Sequence, residues 1–170
     1  MGLKPIEPEE LMDRLYEGEN SLDLSIEKWQ RLVAAWQEDP EKVWQEDIMA
    51  NTCGLCQEHL EPPELDQPPC HTCPYVAVYG KKCDDEGMHW QAANQAIIKY
   101  DCGLKGNLEA MKAYAPTVLN EFRWMLAALL YIKERELEKS NRGDSTAMAP
   151  KGDDCKPTDQ DTAIGERVQG

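Results

Sequence analysis

The chain has 170 residues, 41% of them hydrophobic and 29% charged, with a mean hydropathy of −0.66 and a formal net charge of −14. That length accommodates one domain with a modest core plus appendages. No run of about 18 apolar residues occurs, so no membrane-spanning helix is expected, and the acid excess opposes contact with phosphate backbones, which takes clustered Lys and Arg.

The acidity is uneven. Residues 1–50 hold 13 acids against 5 bases, whereas residues 107–140 hold 5 of each. The N-terminal third therefore reads as solvated acidic helix faces or as an electrostatic surface for a basic partner, mimicry of nucleic acid included. The first residues lack an apolar signal-peptide core, so an intracellular, cytoplasmic setting is expected. In that reducing setting clustered cysteines bind metal more often than they pair as disulfides.

In chain order, Pro8, Glu9 and Glu10 suit a first helical turn and Gly18 a stop, which predicts a short helix over 8–18. A second helix is expected from an N-cap at Ser25 to about Gln37, with Ile26, Trp29, Val33 and Trp36 on one stripe. Asp39-Pro40 breaks it, and a third helix through Glu41–Ala50 would bury Val43, Trp44 and Ile48.

Residues 51–86 are of another kind. They carry Cys53, Cys56, Cys70, Cys73 and Cys83, five prolines and few branched aliphatics. Pro62–Pro69 reads as a polar loop, Tyr75–Tyr79 as a strand, and Gly80-Lys-Lys as the turn that leads to Cys83, together a candidate short β-hairpin. So little apolar mass would not fold unaided, and a bound metal can supply the missing stability.

Helix returns over 87–101, with Trp90, Ala93, Ile97 and Tyr100 along one side. A long helix follows from about Asn107 to Ser140, kinked or divided at Pro116. Its inward stripe is Met111, Val118, Phe122, Leu126, Leu129 and Leu130. Arg123 is the one polar residue between Phe122 and Ile132, so this stretch is either the centre of the monomer core or, over 118–132, a homo-oligomer interface. From Asn141 periodicity is lost and a disordered tail is expected, with Cys155 incidental in it.

The two C-x-x-C pairs, Cys53–Cys56 and Cys70–Cys73, stand 13 residues apart. Each tight turn sets two sulfurs at the spacing one tetrahedral ion needs, so these four thiolates are the first choice for a structural zinc site, with Cys83 a fifth candidate that can replace Cys70 or Cys73. His59, His71 and His89 read as surface or neighbouring residues and not as ligands. An iron–sulfur cluster is the chemical rival, since Cys73-Pro74 echoes its motifs. A redox dithiol lacks the βαβ setting it needs. Catalytic signatures such as H-E-x-x-H, G-x-S-x-G and the phosphate-binding glycine loops are missing, which points away from an enzyme.

Ser25-Ile-Glu-Lys-Trp29, Cys53-Gly-Leu-Cys56, Cys70-His-Thr-Cys73-Pro74, Gly80, Cys83 and Trp90 form a series. It resembles that of a group of small cysteine-rich proteins of bacteriophages and prophages, over about residues 22–132. The resemblance implies a viral or prophage origin and a metal-binding knuckle, not a reaction.

The expectation is a mainly α single domain over 1–140, with a loop-rich zinc knuckle inserted at 51–86 and a flexible tail at 141–170. The expected role is that of a non-enzymatic, acidic interaction protein. It would inhibit or redirect a basic host protein, for instance a restriction or CRISPR component. The competing classes are a zinc-ribbon nucleic-acid regulator, for which Lys81, Lys82, Lys99 and Lys105 are the candidate contacts, and an iron–sulfur or redox protein.

Overall fold

The computed structural model describes residues 4–59, 69–103 and 106–143. Among the described residues there are six α-helices: α1 (Pro8–Tyr16), α2 (Ser21–Glu38), α3 (Gly54–His59), α4 (Pro74–Tyr79), α5 (His89–Ile98) and α6 (Leu108–Gly143). Three 3-10 turns at Pro40–Lys42, Gln45–Ile48 and Ala50–Thr52 lead from α2 to α3, and a π turn at Lys99–Gly103 follows α5. The fold is mainly helical, as the periodicity predicts, and among the described residues no strand occurs.

The core lies where α2, α5 and α6 meet. On α6 the buried residues Val118, Phe122, Met125, Leu129 and Ile132 recur at alternating steps of four and three, one face of a helix. Trp29 and Trp36 of α2 meet Phe122 edge-on at 5.6 and 5.5 Å between ring centres. Such pairs add about 0.5–1.5 kcal/mol beyond their buried area. Trp36 also meets Tyr100 edge-on at 4.9 Å and donates its indole N–H to the Ala115 carbonyl at 3.0 Å.

That carbonyl directly precedes Pro116, and α6 runs through the proline as one 36-residue helix, not two. The opposite face of α6 exposes Trp124, Leu130 and Tyr131. Leu130 therefore leaves the inward stripe expected of it, and Met125 and Ile132 take places in it.

Helix α1 sits apart from this core. Its Leu11 joins Ile6 and Leu24 in a small satellite cluster. Two arginines rivet it to α2. Arg14 reaches Glu19 and Glu27 at 2.8 and 2.7 Å, and Arg31 reaches Glu10 and Glu27, both at 2.6 Å. Part of the acid excess of the N-terminal third is thereby spent inside the fold.

Three local expectations are corrected. Helix α2 starts one turn before Ser25, because Asn20 accepts from the N–H groups of Leu22 and Asp23, both at 3.0 Å. No helix spans Glu41–Ala50. Asp39 and Asp47 cap successive turns, accepting from Glu41 N–H at 3.2 Å and Trp44 N–H at 2.8 Å. The Ile48 and Met49 carbonyls, at the end of the expected helix, accept from side chains of other elements: Ile48 from Trp90 at 2.6 Å, Met49 from Lys28 at 2.8 Å. Val43 and Ile48 are buried as expected, but Trp44 is 60% exposed.

Tyr75–Tyr79 belongs to helix α4, not to a strand or hairpin. Pro74 pre-sets its first turn and Gly80, at φ +68°, ends it in the left-handed conformation a side chain would resist. The tail expected from Asn141 begins later, since α6 continues to Gly143. The remainder of that tail, with Cys155, and the loop expected at Pro62–Pro69, up to residue 68, lie outside the described residues. No described helix is long and apolar enough to cross a membrane.

Candidate metal centre

Each candidate cysteine is delivered by a different local device. Cys53 ends the last 3-10 turn, its N–H bonded to the Ala50 carbonyl at 3.0 Å, and Cys56 follows inside α3. Helix α3 can start there because Gly54 lies against the backbone of α2. A Cβ at this position would collide with the Ser21 carbonyl oxygen. Ser25, one turn along α2, is fully buried and fixes the same junction. Its hydroxyl donates to the Ser21 carbonyl at 2.8 Å, accepts from Leu55 N–H at 2.9 Å and touches Cys53 Sγ at 3.5 Å.

Cys70 closes the second half. It has φ +65°, an unusual left-handed conformation for a residue with a side chain. Its N–H reaches back to the His59 carbonyl, and Cys73 N–H returns to the Cys70 carbonyl, both at 3.0 Å. The ends of α3 and the second C-x-x-C turn are thereby clasped together. Cys73 precedes Pro74 and the first turn of α4, where the N–H groups of Tyr75 and Val76 favour its thiolate. Cys83 enters on the turn before α5, where Lys82 N–H donates to Asp85 at 2.8 Å and Cys83 accepts from Gln91 N–H at 3.2 Å.

All five cysteines line one cavity of about 20 Å³, with Leu55, Tyr75, Val76 and Met125 completing the wall. That is room for one water-sized body. Among the described residues, however, no three His, Cys, Asp or Glu side chains stand close enough to clasp an ion as they are placed. Four sulfurs around zinc would sit about 3.8 Å apart, from a Zn–S distance of about 2.3 Å. The thiols converge without closing.

The surroundings disfavour the thiolate at Cys53, Cys56, Cys70 and Cys73. Cys53 is pushed well up by its hydrogen bond with Cys56 and by burial. For Cys56 the bond from Cys53 favours the thiolate, but Cys83, burial and the Cys83 charge outweigh it and push the thiol up to about 12. Burial raises Cys70, with the Asp84 charge adding to it. Burial also raises Cys73, against the pull of its two N–H neighbours. A divalent cation reverses this logic, since a coordinating thiol gives up its proton outright.

Lys28 was not singled out by sequence reading, although it sits within the Glu-Lys-Trp core of the resemblance. It is 1% exposed. Its ammonium donates to the Met49 carbonyl at 2.8 Å, and among the described residues it has no carboxylate within ion-pair distance. Burial pulls it down to about 8, while Cys53, Cys56, Cys83 and then Asp47 pull it back up. A buried ammonium without a close counter-charge is costly by several kcal/mol. The groups that can supply a counter-charge are the cysteine sulfurs, once deprotonated, and the Asp47 carboxylate.

The histidines stay off the cavity wall. His59 Nδ1 pairs with Thr72 at 3.0 Å, and His89 Nδ1 pairs with the Tyr75 hydroxyl at 2.5 Å while its ring meets Trp124 edge-on. His71 holds a buried Nδ1 with no hydrogen-bond partner among the described residues. Of the lysines considered for a nucleic-acid stripe, Lys99 lies over the Tyr114 ring at 4.7 Å, and Lys105 lies outside the described residues.

No protein-family model, no curated protein and no solved structure matches this chain.

Proposed function

We propose that the five-cysteine cavity holds a structural zinc ion and that the protein is a non-enzymatic, acidic interaction module whose partner presents a basic surface. The observation that carries the metal reading is the convergence of five thiols on one ion-sized space beside a fully buried lysine. Zinc held by four thiolates leaves a net charge of about −2, the counter-charge that Lys28 otherwise lacks. A four-thiolate set has no open coordination position, so the ion orders the chain and does not activate water. Cys53, Cys56 and Cys83 are three of the ligands, since the Cys56 thiol is shifted by both of the others, and Cys73 or Cys70 supplies the fourth.

The partner reading rests on charge. After the two arginines take Glu10, Glu19 and Glu27, acids such as Glu7, Glu9, Asp13 and Glu17 remain exposed on one end of the molecule. With the resemblance to phage proteins, this makes a host nucleic-acid-binding defence component in the host cytoplasm the preferred target, inhibited or redirected through its basic surface.

Native mass spectrometry of protein made with zinc supplied is expected to show one zinc per chain. Iron with inorganic sulfide and a brown colour would replace zinc with a cluster, and metal-free folded protein would end the metal reading. Partner binding is expected to weaken sharply from low to high salt; an unchanged affinity counts against the acidic surface.

A further inference from the structure

The irregular segment after α2 and the π turn after α5 face each other across an open groove of about 520 Å³. Trp44, Tyr100 and Met111 supply its apolar lining, and Glu41 and Asp101 supply carboxylates. We propose that this groove docks an arginine side chain from a basic segment of a partner protein. The proposal rests on the basic-partner reading above and gives that partner a place to bind.

Three observations carry it. The first is the posture of Trp44. Its neighbours Val43 and Ile48 are buried to 1% and 0% exposure, so both flanks are anchored in the core while the indole stays 60% exposed. Its backbone N–H is pinned to Asp47 at 2.8 Å. A large ring held out by a fixed backbone has little conformational freedom left to lose on binding.

The second is the wall. Tyr100 is nearly buried and packed edge-on against Trp36, so its position is set by the core.

The third is the field. Asp39, Glu41, Glu46 and Asp101 surround the groove. Burial and then the charges of Glu41, Asp101 and Asp39 raise the Tyr100 hydroxyl, while burial and the Glu46 charge raise Asp101. Of the nearby cations, Lys42 is paired with Asp39 at 3.3 Å and Lys99 lies over Tyr114. Among the described residues, no ion pair engages Glu41, Glu46 or Asp101. A guanidinium fits this setting better than an ammonium. It stacks flat on an indole and presents a planar fork to carboxylates.

The test is calorimetric titration of the full, zinc-loaded chain with a blocked Gly-Arg repeat peptide at low salt, beside its lysine and citrulline counterparts. The arginine peptide is expected to bind, the lysine peptide several-fold more weakly, and the citrulline peptide not measurably. Trp44→Ala is expected to weaken arginine-peptide binding about tenfold, with Trp44→Phe restoring most of it. The pair Glu41→Gln with Asp101→Asn is expected to do the same, while Glu134→Gln with Glu136→Gln, an equal change of charge on the exposed last turns of α6, stays within twofold. Circular dichroism checks that each variant is folded.

Binding that survives Trp44→Ala, or that the α6 pair weakens as much as the groove pair, overturns the groove and leaves the acidic-surface reading standing. Wild-type protein that binds neither these peptides nor any basic protein at low salt overturns both.

Discussion

The molecule contains two regions that are held together by different means. The layer of α2, α5 and α6 is joined by side chains that the sequence spaces at helical period, with edge-on contacts among Trp29, Trp36, Tyr100 and Phe122. The region of α3, α4 and the turn before α5 has helices of six residues each and a cavity lined with thiols at its centre. Isolated helices of that length are unstable in water. The first region is held by hydrophobic burial, whereas the second adds only Leu55, Tyr75 and the cysteines to that core, and the proposed metal would supply what it otherwise lacks.

The sharpest way to break this contrast is to remove a thiolate or the metal. Cys53→Ser or Cys56→Ser is expected to abolish zinc binding and release α3 and α4, because a three-ligand structural site is incomplete. Amide-resolved hydrogen exchange should show protection lost there and retained in α2 and α6. A strong chelator should reproduce the pattern in the wild type. Retention of a full metal equivalent in either variant would assign the site to other cysteines. Across the five single serine variants, the one that keeps its zinc identifies the thiol outside the ligand set.

A smaller but metal-independent break lies at the seam between the regions. Gly54→Ala sets a methyl group into the Ser21 carbonyl of a core helix, where neither backbone can yield. A loss of about 3 kcal/mol is expected, at the upper end for overpacking. Equilibrium urea unfolding of the zinc-loaded protein measures it, and a loss below about 1 kcal/mol would mean that α3 is not pressed against α2.

Ser25→Ala tests the same seam more gently. Leu55 N–H is left buried without its acceptor, at a cost of about 2 kcal/mol. Since the hydroxyl also touches Cys53, the variant should lower zinc affinity as well as stability, and an unchanged metal affinity would confine Ser25 to the helix junction.

How much of this was legible in the sequence follows the same division. The stripes of α2 and α6 could be read because packing obeys the helical period, and α1 because Pro8 and Gly18 punctuate it. Tyr75–Tyr79 could not, since four β-prone residues, Tyr75, Val76, Val78 and Tyr79, become a helix when Pro74 starts it and Gly80 ends it. Glu41–Ala50 makes short turns capped by Asp39 and Asp47 and bonded to Trp90 of α5 and Lys28 of α2, long-range partners that no local pattern reveals. The cysteine set was visible from spacing, including Cys83. Lys28 was hidden, because a lysine between Glu27 and Trp29 on an amphipathic helix reads as a surface charge. Trp44 is expected on the buried side of a helix over Glu41–Ala50, and without that helix it stands 60% exposed.

The smallest expected effect lies within the helical region, at the ion pairs joining α1 to α2. Glu27 accepts from Arg14, and this bond holds its carboxyl below the ordinary value of 4.5 against the opposing effect of burial, with Arg31 assisting. A depressed carboxylate contributes stability above its unfolded value and loses it as pH falls through the folded one. Glu27→Gln is therefore expected to cost on the order of 1 kcal/mol at pH 7, and the difference from wild type should shrink steadily below pH 4.5. The cost is small because both arginines keep another carboxylate: Arg14 has Glu19 and Arg31 has Glu10. Acid also protonates the cysteines and releases a bound metal, but in both proteins alike, so the difference between the two unfolding curves isolates Glu27. A difference that is constant from pH 7 to 3 would show that Glu27 acts through packing and not through its charge.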